Sequence, residues 1–180
     1  KDPWKNMIKI SELDPNKPIT ISGFAKTKLL SKLLGYSKKT NSYSVNLFKI
    51  APFDPKKSFS STENNTAFVK QLGVLTRFFS IIRSQVKNNI DEKDQWLNHK
   101  KYGLTKFTVV NALLLVLDSL LEKDPKLSMD LNKWLSAISV IDFRNEKLLK
   151  YGRGYPAMPK IANKIIKQMN SKHGANLKLR

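Results

Sequence analysis

Between residues 68 and 86 the apolar side chains Phe68, Leu72, Leu75, Phe79, Ile82 and Val86 recur at intervals of three and four, the spacing of one helix face. The pattern predicts a helix over 68–87 with Lys70, Arg77 and Arg83 on its exposed side. A second run is denser. Val109, Val110, Leu113, Leu114, Val116, Leu117, Leu120 and Leu121 cover most of a helix circumference, so a helix over 105–122 is expected to be the central one. Lys123-Asp124-Pro125 should end it, because proline has no N–H to donate and pushes its predecessor out of helical geometry. A third helix over 129–141 carries Leu131, Trp134, Leu135, Ile138 and Ile141, with Ser128 as its expected N-cap. These three helices form the expected core.

The flanks read differently. Pro3, Pro15 and Pro18 interrupt the first 22 residues, where Ile19-Thr20-Ile21 suits a short edge strand. Phe24, Leu29, Leu30, Leu33 and Leu34 then recur at helical spacing before a C-capping Gly35, which predicts a short basic helix. In the Ser, Thr and Asn-rich stretch from Ser37 to Asn65, only Tyr43, Val45 and Leu47 alternate, as in a strand or an extended loop. At the other end a glycine-bearing basic loop, 147–159, leads into a last amphipathic helix. The expected fold class is therefore mainly α, a single helical domain of five or six helices. Residues 1–66 form its basic, partly irregular N-terminal region, with a short helix and room for a small strand pair, and residues 67–180 its helical core with a basic C-terminal helix.

Charge adds a partner to this picture. Of a net +19, residues 1–90 carry +11, residues 91–146 carry −1 and residues 147–180 carry +9, with no acid after Glu146. A folded domain gains nothing from so much like charge and is destabilised by its self-repulsion, so a polyanionic partner is expected, nucleic acid first. On the last helix Lys160, Lys164 and Lys167 stand on one stripe, and Met158, Ile161, Ala162, Ile165, Ile166 and Met169 on another. Unpaired lysines at those spacings repel one another by a few tenths of a kcal/mol per pair unless an anion neutralises them. The alternative is a solvated face that serves only solubility. Upstream, Lys147, Lys150, Tyr151, Arg153 and Tyr155 interleave cations and aromatics with Gly152 and Gly154. Such a loop can follow a phosphate backbone, place an arginine on phosphate or guanine, and stack a tyrosine on an exposed base. Its alternative is a turn whose tyrosines pack on a neighbouring helix. Lys26, Lys28, Lys32, Lys38 and Lys39 complete the candidate nucleic-acid-binding residues.

Chemistry is sparse by comparison. No catalytic residue is assigned, because no serine nucleophile elbow, paired-histidine zinc motif or dinucleotide-binding glycine loop occurs. Gly23-Phe24-Ala25-Lys26-Thr27 lacks the glycines a P-loop needs. There is no cysteine, which removes disulfides and thiolate zinc sites and suits a reducing compartment. His99 and His173 read as surface residues, so neither a metal nor a cofactor is expected. Asp142/Glu146 and Asp91/Glu92 sit where solvated connectors and helix starts place acids, and Asp118 suits the polar edge of its helix or a buried hydrogen bond. Asn64-Asn65-Thr66 matches a glycosylation acceptor by chance. No run is long and apolar enough for a transmembrane segment and no signal peptide is visible, so an intracellular location, cytoplasm or nucleoid, is expected. The chain opens on Lys1 rather than Met, and further sequence is expected before it.

The run from Phe68 to Phe143 also resembles a known family. Its features are the Phe78-Phe79 pair on a long helix, Trp96 in the connector, Tyr102-Gly103-Leu104-Thr105 before the apolar helix, and Trp134-Leu135 followed by Ile141-Asp142-Phe143. In that order, ahead of a glycine-bearing basic loop and a final helix, they resemble the helical C-terminal part of the DGQHR-domain family of DNA phosphorothioation systems. The resemblance covers about half the chain and implies a bacterial role linked to DNA modification. The Asp-Gly-Gln-His-Arg motif that names the family does not occur, so no active-site residue is carried over. Together these readings predict a non-catalytic nucleic-acid-binding protein, with double-stranded DNA favoured over RNA. An RNA-binding or ribosome-associated protein is one alternative. The other is the nucleic-acid-anchoring part of a larger DNA-modification or defence assembly.

Overall fold

The computed structural model describes residues 60–87 and 95–179, residues 54 and 56–58, and four two-residue strands. The strands are β1 (Ile8–Lys9), β2 (Ile19–Thr20), β3 (Tyr36–Ser37) and β4 (Ser42–Tyr43). β1 pairs with β2 in parallel, and β3 with β4 antiparallel through Tyr36 opposite Tyr43. The helix expected over 24–34 lies outside the described residues. The described part is mainly α: α1 (Thr62–Lys87), α2 (Phe107–Lys123), α3 (Leu131–Leu135), α4 (Asn145–Leu148) and α5 (Ala157–His173). Two 3-10 turns, Ser136–Val140 and Leu149–Tyr151, continue α3 and α4.

α1 begins six residues before the start that its apolar spacing predicts, because polar contacts nucleate it. Ser61 Oγ accepts from the Asn64 N–H at 3.3 Å, and the Asn65 N–H bonds back to the Ser61 carbonyl at 2.9 Å. The buried Asn64 amide then holds the preceding segment. Its Oδ1 accepts the Asp54 N–H at 2.8 Å, and its Nδ2 donates to the carbonyls of Asp54, Lys57 and Ser58 at 2.9, 3.2 and 3.0 Å. A glycan on this nitrogen would remove one of its two hydrogens and could not sit in this buried position. Asn64→Ala strands several of these backbone groups, and thermal denaturation is expected to record a loss of about 1–3 kcal/mol.

The expected core side of α1 is core only over its second half. Phe78, Phe79, Ile82 and Val86 are buried, whereas Phe68 and Leu72 are 41% and 50% exposed. In the first half the buried residues are instead Asn64, Ala67 and Gln71, so the side carrying Phe68 and Leu72 faces outward there. α2 is central as its density of apolar residues predicts, with Val109 through Leu114 and Val116 through Leu121 all buried. It lies parallel to α5. The two helix starts meet where the Phe107 ring contacts Tyr155, and the ends meet where Lys123 Nζ donates to the Ala175 carbonyl just past α5.

The segment 129–141 departs from the expected single helix. Ser128 is not its cap: the hydroxyl donates to Asp124 Oδ2 at 2.7 Å, and Asp124 also accepts the N–H groups of Lys126 and Met129. That closed turn delays the helix until Asp130 caps it by accepting from the Lys133 N–H at 3.1 Å. After Leu135 the backbone tightens into the 3-10 turn.

A short antiparallel bridge, Tyr102 to Arg144, brings α4 against the approach to α2. The Gly103 N–H donates to the Phe143 carbonyl and the Asn145 N–H to the Lys101 carbonyl, both at 2.8 Å. The approach at Gly103 is close: a Cβ there would overlap Leu148 Cδ1 and lie 3.1 Å from Asn145 Oδ1, so the leucine side chain would have to shift.

Candidate nucleic-acid interface

The outer face of α5 is the most regular charged feature described. Ala157, Met158, Ile161, Ala162, Ile165, Ile166 and Met169 are buried against the core, so the residues between them point outward. Lys160, Lys164 and Lys167 are exposed along that outer side, and Ser171 continues the row. From Lys160 to Lys167 the row spans about 10 Å of helix axis. One DNA strand carries about three phosphates over that rise. Among the described residues no carboxylate forms an ion pair with any of the three lysines or with Arg153.

The acids nearest in sequence are already engaged. Arg144 Nε lies 3.0 Å from both Asp142 oxygens and Nη2 lies 2.5 Å from Oδ2, while Nη1 reaches Glu146 at 3.6 Å. This fork holds the Asp142 carboxyl below the usual carboxylate range. Asp142 and Glu146 are thus tied to Arg144 at the start of α4.

Both ends of α5 are fixed. Pro159 occupies the first turn, where a missing N–H costs nothing. The Ala157 and Met158 N–H groups donate to the Gly154 and Tyr155 carbonyls, each at 3.2 Å. An anion at this end therefore meets side chains rather than bare backbone donors. At the far end Gly174 takes a left-handed conformation, with φ of 60°, and donates to the Asn170 carbonyl. Asn170 then clasps Leu177 from both sides, at 2.9 Å to its carbonyl and 2.8 Å from its N–H.

The loop before α5 divides its aromatic residues between two jobs. Tyr151 packs on the core, with Lys150 Nζ 5.2 Å from its ring centre, as the packing alternative predicts. Gly152 and Gly154 have φ of 89° and 65°, a region that side chains strain to adopt, and between them Arg153 is exposed. Tyr155 is 57% exposed and meets the 37% exposed Phe107 edge to face, with ring centres 6.0 Å apart. Sequence reasoning did not bring Phe107 to this site, because it lies 48 residues from Tyr155 in the chain and no local pattern joins the two. Lys147 and Lys150 are exposed on the same approach, whereas Lys26, Lys28, Lys32, Lys38 and Lys39 lie outside the described residues.

His173 and Ser136 are neighbours at 3.1 Å without forming a nucleophile and base. The Ser136 hydroxyl donates to the Lys133 carbonyl at 2.7 Å, which leaves it to accept from the ring. Burial, with smaller contributions from Lys172 and Lys133, draws His173 below its ordinary value. Among the described residues no group of three or more His, Asp or Glu is placed to hold a metal, and no helix is long and apolar enough to cross a membrane. No family model, curated protein or solved structure matches the chain.

Proposed function

We propose that the protein binds nucleic acid, preferentially double-stranded DNA, through phosphate contacts and without catalysing a reaction on it. The observation that carries this reading is the exposed row Lys160, Lys164 and Lys167, which sits on a helix fixed at both ends and has no carboxylate partner among the described residues, while the acids nearest before it in sequence, Asp142 and Glu146, are held by Arg144. Three exposed cations ahead of the row, Lys147, Lys150 and Arg153, add to its positive charge. Contacts of this type fix register on the duplex and carry little base information, so sequence preference is expected to be modest.

Binding to equal lengths of duplex DNA, single-stranded DNA and structured RNA, each titrated between about 50 and 200 mM salt, tests the proposal. The expected result is a steep loss of affinity with salt, with duplex DNA bound tightest at every concentration. No binding to any of the three at the low-salt end refutes it, and tightest binding to structured RNA moves the partner to that class.

A further inference from the structure

We infer that the Phe107–Tyr155 pair is a stacking site for an unpaired nucleobase, so that the protein prefers a duplex carrying an unpaired extension over a blunt one. The inference rests on the nucleic-acid reading above and adds to it a second contact of different chemistry.

Three observations place the site. Both rings remain substantially exposed although they come from different elements, the start of α2 and the turn before α5. Apolar surface left in water at a point where two chain segments converge is available to a flat ligand. Their perpendicular arrangement, at 89°, sets one ring's edge against the other's face, which steadies the pair while leaving a ring surface outward. Cations flank it in the chain on both sides, with exposed Lys106 beside Phe107 and exposed Arg153 two residues before Tyr155. A neutral apolar partner has no use for those charges. A nucleotide uses both features, with its base on the ring and its phosphate beside the cations.

The position also suits a duplex end. Tyr155 lies just before α5, and the lysine row begins at Lys160, the fourth residue of the helix. A duplex lying on the row would reach the aromatic pair at one end of that contact. A base held in the duplex turns outward onto a protein ring only at the cost of unstacking and unpairing, whereas a base in a single-stranded extension is not paired. Tyr151, packed on the core beneath Lys150, is not part of this surface.

The test uses three DNA probes: a blunt duplex, the same duplex with a short single-stranded extension, and that extended duplex with abasic residues in the extension. The last two carry equal phosphates, so any difference between them belongs to the bases. The expected result is about fivefold or tighter binding of the base-bearing extension over the abasic one, the low end of what stacking one base on an aromatic ring contributes. Tyr155→Ala should bring that ratio close to one, and Tyr155→Phe should preserve it. Equal binding of the two extended probes by the wild type overturns the inference, as does a ratio that survives Tyr155→Ala. Either failure with the blunt duplex still bound leaves the phosphate reading intact. Loss of blunt-duplex binding at low salt is the separate result that removes both.

Discussion

Reversal of Lys160, Lys164 and Lys167 to glutamate is expected to weaken duplex binding at about 100 mM salt by roughly two orders of magnitude or more, and to flatten the slope of log affinity against log salt by about 2.7. Each phosphate neutralised by a lysine releases close to one condensed cation, so three lost contacts remove three such releases, and the introduced carboxylates add repulsion. The fold should not suffer. Lys160 is in the first turn of α5, a turn with no acidic residue, where the partial positive charge of the helix end disfavours a cation. Lys160→Glu alone should therefore stabilise the protein by about 0.3–1 kcal/mol while it weakens binding. Opposite signs in the two measurements separate a contact residue from a merely structural one. Salt-dependent fluorescence anisotropy and thermal denaturation on the same variant provide both readings, and an unchanged affinity and slope would assign the phosphate contact to another surface.

Trp96→Ala is expected to be the most damaging single truncation in the connector, at about 3–5 kcal/mol. The indole is fully buried and lies 6.1 Å from Phe79, which in turn meets Phe78 edge to face at 5.2 Å. It fastens the chain to α1 just before the Tyr102 to Arg144 bridge. Removing it empties the volume of the largest buried side chain in the described core. At about 2–4 °C per kcal/mol for a protein of this size, the unfolding midpoint should fall by about 6–20 °C. Trp96→Phe, which retains a ring, should lose less than half as much. A midpoint within a degree of wild type for Trp96→Ala would mean that the indole does not anchor this junction.

The helices that build the core were legible where one physical signal dominated. α2 is buried over most of its circumference, which leaves a run of apolar residues with little ambiguity. α5 is half buried, and its stripe of Met158, Ile161, Ile165, Ile166 and Met169 separates cleanly from its lysines in sequence as in space. Periodicity failed where contacts between distant or polar groups decide the geometry. Phe68 and Leu72 continue the apolar spacing of α1, but Asn64, Ala67 and Gln71 take the buried positions in its first half, and two of those three are polar. The start of α1 depends on Asn64 bonding to residues several positions earlier, and the start of α3 on Asp124 claiming Ser128. The Phe107–Tyr155 contact joins residues far apart in the chain, and each alone reads as an ordinary core or turn aromatic.

The fixed ends of α5 bear on the entropy of binding. A helix that frays must be ordered before its side chains can act as a row, and that ordering subtracts from affinity at about 1–2 kcal/mol for each backbone residue fixed. In this protein Pro159 at one end and the Gly174 turn with the Asn170 clasp at the other hold the lysine-bearing backbone in place before any partner arrives. Only the lysine side chains have freedom left to lose, and phosphate contacts that tolerate several rotamers take little of it. The row is preorganised, and association through it should proceed without a folding step.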